Sequence, residues 1–303
     1  MEEKSANTRD QSLAMEESGI KTVPVIDLQG MTLQNLKKTT VAEISSAAEK
    51  WGFFQIVNHG IPDSLIARVQ TVSKAFFELP MEEKEAYKIE EGSHIGYRSK
   101  AFFELPMEEK EAYKIGEGSH IGYGRKDGDS TDVKSDWRES YTNIVQPLSR
   151  RDMSKWLKQP SDFTEVMDEY SSEICKLCEV LMQALCGGLG LVKENTIVEA
   201  LGGEQKEIYL GINYYPPYPH PELVLGALPH SDVSALTILL HDQTPGLQIR
   251  KDDAWLDVPC IPSALVVNIG DQIEVLSNGK YKEFCSQGSY KDVMGDVLYS
   301  TTS

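Results

Sequence analysis

His230 and Asp232 stand two residues apart, after the turn-forming stretch 226–229 and ahead of the apolar run 235–240. In extended backbone, residues i and i+2 face the same side, so an imidazole and a carboxylate at this spacing can reach one metal ion. Open-site ferrous oxygen chemistry uses two His and one carboxylate. The second His is what this neighbourhood lacks. After His230 the only His is His241, eleven residues on, at the far end of the apolar run. That separation disfavours a zinc site built from His230, Asp232 and His241. An isolated His-x-Asp also arises by chance, and a lone His more often makes a structural hydrogen bond.

Upstream, residues 208–215 alternate, which puts Asn213 and Tyr215 on one face and Ile212 and Tyr214 on the other. Two polar tips on one face can hold an acidic cosubstrate; the plainer alternative is that both satisfy buried backbone groups. Cys175 and Cys178 form a C-x-x-C. They lie in a segment where Ile174, Leu177, Cys178, Leu181, Met182, Leu185 and Cys186 recur at helical spacing. Cys178 and Cys186 are therefore expected in the core of a buried helix face, without the thioredoxin-like context that redox chemistry requires.

Strands and helices must present these side chains. Residues 23–28 read as a short strand, 41–50 as a helix ending before Trp51 and Gly52, and 53–57 as a second strand closed by Asn58, His59 and Gly60. Asp63 is expected to cap a helix running to Phe77, with Leu65, Val69, Val72 and Phe76 on one side. Residues 161–189 hold one or two long helices. After Gly202 and Gly203 the pattern turns to strands at 208–215, 236–240, 247–250, 255–258, 264–269 and 273–276. Many short strands separated by Pro, Gly and Asp predict a double-sheet jelly roll or barrel.

The chain has 303 residues, enough to bury a sizeable core, and ordinary globular composition with 40% hydrophobic and 25% charged residues. A formal net charge of −17 argues against nucleic acid and against an anionic membrane surface, both of which need clustered cations. No run approaches the length of a membrane span, and the polar first twenty residues lack the apolar stretch of a signal peptide. Five Cys with no tight framework fit a reducing compartment, so a cytoplasmic protein is expected.

Residues 74–97 recur at 100–123 with a single difference, Glu90 against Gly116. Repeat architectures stack several diverged units. Two near-identical copies in tandem read instead as a recent duplication or an assembly error, one copy filling the structural niche and the other bulging out.

Residues 210–282, with NYYPPYP at 213–219, PHSD at 229–232 and NIGD at 268–271, resemble the core of the plant iron(II)- and 2-oxoglutarate-dependent dioxygenases, particularly the anthocyanidin synthase and flavonol synthase branch. Residues 23–28, WGFFQIVNHGIP at 51–62 and FFELPMEEK at 76–84 resemble the N-terminal domain of the same family. The resemblance implies iron(II) as metal, 2-oxoglutarate as cosubstrate and ascorbate as supporting reductant. It implies His230 and Asp232 as two of three iron ligands, and Asn213 and Tyr215 in the 2-oxoglutarate pocket, with Tyr215 donating to the distal carboxylate. It makes His59 structural, gives Tyr218 in place of the usual Cys a packing role, and gives Asp271 no chemistry.

The family continues with a third ligand in a His-Arg pair and then an R-x-S motif whose Arg pairs with the distal carboxylate of 2-oxoglutarate. Here Ser286 stands at the ligand position in gap-free alignment, and no Arg follows Arg250. The resemblance therefore implies hydroxylation or desaturation of a flavonoid-like small molecule, with turnover impaired in this chain; the alternative is a noncatalytic remnant acting at most as a weak metal-binding or interaction module. The expected fold is α+β: a double-stranded β-helix (jelly roll) core, incomplete at its C-terminus, with a mixed helical N-terminal domain. Its expected parts are a disordered head (1–21), an N-terminal domain with the duplication (22–135), a helical connection (136–204), a partial jelly roll (205–282) and an aberrant tail (283–303) whose lack of final strands exposes sheet edges.

Overall fold

The computed structural model describes residues 22–85, 121–126, 135–218, 220, 223–288 and 294–302. The head at 1–21 and most of the second repeat copy lie outside them. The N-terminal part runs β1 (Val25–Asp27), α1 (Lys38–Lys50), β2 (Phe53–Val57), α2 (Asp63–Phe77) and a short α3 (Met81–Glu85). It continues with β3 (Gly122–Lys126), β4 (Ser135–Asp136), β5 (Arg138–Gln146), the long α4 (Phe163–Gly188) and α5 (Thr196–Ala200). The C-terminal part holds β6 (Glu207–Tyr215), β7 (Val224–Leu225), β8 (Ala227–His230), β9 (Leu236–His241), β10 (Leu247–Lys251), β11 (Ala254–Asp257) and β12 (Leu265–Ile269). It ends with α6 (Asp271–Leu276), β13 (Ser286–Gly288) and β14 (Met294–Thr302).

Among the described residues, eight strands form one sheet in the order β1-β2-β12-β9-β14-β6-β5-β3, and four form a second, β11-β10-β13-β8. The α+β jelly-roll expectation is met. Side-chain alternation explains how the layers stack. On β12, Leu265, Val267 and Ile269 join the helix-facing core, while Val266 joins a smaller cluster with Phe53, Ile249 and Val258 between the sheets. With both faces covered, β12 reads as a nearly unbroken apolar run. Helix α4 packs against α1 and α2. It buries Ile174, Leu177, Cys178, Leu181, Met182, Leu185 and Cys186, the stripe its spacing predicted, and extends that stripe back through Tyr170, Met167 and Phe163.

Several expectations need correction. Asp63 is the first residue of α2 and not its cap; Pro62 holds the cap position and no side chain accepts there. The acid still meets the positive end of the helix dipole. Residues 273–276, read as a strand, belong to α6, where Ile273 is buried while Val275 and Leu276 are exposed. A four-residue run is too short for periodicity to separate helix from strand, and Asp271 and Glu274 in the first turn favour the helix. The stretch 136–204, read as helical, opens with β5, which pairs with β6. Tail residues, expected to leave sheet edges exposed, supply β13 to the smaller sheet and β14 to the larger, where β14 pairs with β6 on one side and β9 on the other.

The duplication is shared between its copies. Residues 74–85 of the first copy complete α2 and form α3, while Tyr123, the last residue of the second copy, lies on β3. They meet at Glu139: Lys84 Nζ is 2.6 Å and Tyr123 Oη 2.7 Å from its Oε2, with Lys84 and Glu139 both buried. Residues 86–120, and with them the question of a bulge, lie outside the described part.

Candidate functional site

A cleft of ≈ 280 Å³ opens between the two sheets, and His230, Asp232, Asn213 and Tyr215 all line it. His230 closes β8. Its Nδ1 lies 2.8 Å from the Leu228 carbonyl oxygen, which can only accept, so that nitrogen carries the hydrogen. Its Nε2 then faces Asp232, whose Oδ1 is 3.6 Å away. The other carboxylate oxygen of Asp232 accepts from Thr237 Oγ1 at 2.6 Å and from Asn268 Nδ2 at 2.8 Å. One oxygen is thus anchored and the other faces the cleft beside the imidazole, an arrangement that orients a metal ligand.

Gly270 makes this possible. A Cβ there would lie 2.1 Å from the Ser234 carbonyl oxygen and 2.8 Å from that of Asp232, so only glycine lets β12 turn under the Asp232 loop. Gly226 does the same for Tyr215, whose ring a Cβ would meet at 2.8 Å.

Ser286 stands directly across the ladder from His230, on β13, and lines the cleft with it. Three residues escaped sequence reading. Thr237 and Asn268 orient Asp232, and Arg138, from β5, lines the cleft beside Asn213 and Tyr215. The signal for Asn268 and Thr237 was a polar residue inside the apolar runs 265–269 and 235–240, which is uncommon unless the group is partnered. Nothing local pointed to Arg138.

The other candidates fall elsewhere. His241 is buried on the far end of β9, its Nδ1 accepting from the Gln243 amide at 3.3 Å, and it does not line the cleft. Burial lowers its pKa against the pull of Asp242. Among the described residues, no group of three His, Cys, Asp or Glu is placed to hold a metal ion, which removes the zinc reading. His59 is structural: Nε2 lies 2.8 Å from the Ser263 carbonyl and Nδ1 accepts from the Ile61 amide. Burial lowers its pKa, opposed by the Ser263 carbonyl and Asp63. Tyr218 packs its ring 4.6 Å from that of Trp137. Burial pushes the Cys178 thiol up to about 12 and the Cys175 thiol up to about 11, the reverse of a reactive pair. Both are free thiols.

Two family models match the chain: "2OG-Fe(II) oxygenase superfamily" over residues 208–288, and "non-haem dioxygenase in morphine synthesis N-terminal" over 23–101 and 98–163. The second breaks where one repeat copy gives way to the other. Flavonol synthase 1 of Crocosmia x crocosmiiflora is 40% identical over 263 residues, 87% of this chain and 70% of that protein. The chain belongs to the 2OG-Fe(II) oxygenase superfamily. Among this superfamily's members, the leucoanthocyanidin dioxygenase of Perilla frutescens is 36% identical over 88% of this chain and 67% of its own length. Jasmonate-induced oxygenase 4 of Arabidopsis thaliana is 39% identical over the same shares. The solved structure of JOX2, described as a complex with 2OG, Fe and JA, superposes with a TM-score of 0.75 at 36% identity, covering 93% of this chain and 75% of JOX2.

The superfamily implies iron(II), and the donors here fit it in part. His230 and Asp232 offer a nitrogen and an oxygen to one point. The position facing them across the ladder offers a serine hydroxyl, which is no match for an imidazole as a donor to ferrous iron. The three-donor protein face is therefore incomplete among the described residues. No helix among them is long and apolar enough to cross a membrane.

Proposed function

We propose that this chain is a plant iron(II)- and 2-oxoglutarate-dependent dioxygenase in descent and in cleft design, built for a planar, flavonoid-like small molecule, with turnover strongly impaired. The superfamily's chemistry, when iron and 2-oxoglutarate are both bound, couples oxidative decarboxylation of the cosubstrate to hydroxylation or desaturation of the substrate, with ascorbate keeping the metal reduced. The relatives named for flavonol and leucoanthocyanidin chemistry support the substrate class. This chain's own contributions are orientation and exclusion of water: Thr237 and Asn268 orient Asp232, Leu228 orients His230, and the apolar walls Phe53, Leu239 and Val266 keep the cleft dry.

The observation that carries the impairment is the pairing of Ser286 with His230. A metal held by two protein donors binds weakly and is not fixed in one geometry. The same observation supports the alternative of a noncatalytic relative, and one experiment separates the two. Succinate release is measured with ferrous iron, 2-oxoglutarate, ascorbate and a flavonoid panel, for the natural chain and for Ser286→His. An impaired dioxygenase gives near-background release from the natural chain and a clear rise in the variant. No rise in a folded Ser286→His variant favours the noncatalytic relative.

A further inference from the structure

Among the described residues, Arg138 is the one Lys or Arg lining the cleft. On β5, Ser140 pairs with Asn213 and Glu139 with Tyr214. Alternation therefore sets Arg138 on the same face as Ser140, Asn213 and Tyr215, and Arg138, Asn213 and Tyr215 line one wall together. Its Nε is buried without a hydrogen-bond partner, and among the described residues no hydrogen bond or ion pair engages its guanidinium. The hydrogen bonds of the neighbouring carboxylates go elsewhere. Glu139 holds Lys84 and Tyr123, the Asp136 carboxylate accepts from the Leu228 amide, and Asp232 is anchored by Thr237 and Asn268. A half-buried guanidinium that no carboxylate of the described residues engages is costly unless a ligand supplies an anion.

The family's Arg for the distal carboxylate of 2-oxoglutarate has no counterpart between Lys251 and Ser303. We propose that Arg138 takes its place from β5, binding the distal carboxylate of a five-carbon 2-oxo diacid beside Asn213 and Tyr215. The fork of a guanidinium suits a carboxylate in a bidentate pair, which a lysine ammonium does not reproduce. The inference rests on the reading of this cleft as a 2-oxoglutarate site, and it assigns the anchoring charge to a residue that motif matching does not reach.

The test is calorimetric binding of 2-oxoglutarate and of 2-oxopentanoate, the same carbon chain without the distal carboxylate, to the full chain with manganese(II) present. The natural chain, Arg138→Met and Arg138→Lys are compared, with thermal melts to verify folding. Arg138→Met is expected to lose about ten- to hundredfold in affinity for the diacid while holding the monoacid within about twofold. Arg138→Lys is expected to fall between, and it carries the test if the Met variant does not fold. Equal losses for both acids, or no loss for either, overturn the assignment and leave the cleft's 2-oxoglutarate reading standing; the second result would point to Arg138 serving an acidic substrate instead. Failure of the natural chain to bind either acid removes both.

Discussion

In the proposed metal site, Asp232 has one of its oxygens tied down. Thr237 and Asn268 hold Oδ2, leaving Oδ1 to face His230 across 3.6 Å. Asn268→Ala removes one of those bonds and frees the carboxylate to rotate. Affinity for manganese(II), measured by calorimetry, is expected to fall about tenfold or more with the fold intact. A second residue-level prediction concerns Glu283, whose carboxyl is pushed up from its ordinary 4.5 to about 7 by burial first, then by Asp271, Glu274 and Asp232. A carboxyl with its folded pKa raised stabilises the fold below about its unfolded pKa, and that contribution is lost as pH climbs through the folded value. Glu283→Gln should therefore melt above the natural chain at pH 8 by about 2 °C or more, with the gap closing at pH 5. At this scale the sequence disclosed what lies close along the chain. His230 and Asp232 follow from a two-residue spacing, and Asn213 and Tyr215 from strand alternation. Arg138 reaches the same wall from 75 positions before Asn213, brought there by β5 pairing with β6, and no local pattern encodes that pairing.

The elements that position these residues were legible where periodicity ran long. Helix α2 runs to Phe77 as expected and begins one residue early, with Asp63 inside it, and α4 carries its apolar stripe over 26 residues. Legibility failed in α6, whose six residues span under two turns, and in β14, whose sequence carried no family signal to announce a strand. It failed again in β5, where the alternation of buried and half-buried positions was hidden by polar types such as Glu139 and Asn143 at buried sites. Glu139 is buried because Lys84 from the first repeat copy and Tyr123 from the end of the second satisfy it. Removing Lys84 leaves a buried carboxylate without its counter-charge. Lys84→Met is expected to cost about 3–5 kcal/mol in urea unfolding. The same change at Lys110, its counterpart in the second copy, is the control and should leave the midpoint near that of the natural chain. Equal losses at both would contradict the assignment of the Glu139 counter-charge to Lys84 alone.

For the whole molecule, the architecture sets which donors can converge. The larger sheet is clamped between helices on one face and the smaller sheet on the other, so the cleft's geometry depends on both cores. Within it, β8 and β13 bring His230 and position 286 side by side. An imidazole at 286 would thus rise from the same side of the smaller sheet as His230 and meet Asp232 from the third direction. On the proposed reading, the fold supplies the platform for a three-donor centre and Ser286 leaves it one donor short. The family and the jelly roll could be read from the sequence because strand alternation and the motifs at 213–219, 229–232 and 268–271 all agree. The most direct test is the manganese(II) dissociation constant of the natural chain against Ser286→His, measured without cosubstrate. The account predicts weak binding by the natural chain and a gain of about tenfold or more in the variant; a folded variant that binds no more tightly than the natural chain would contradict it.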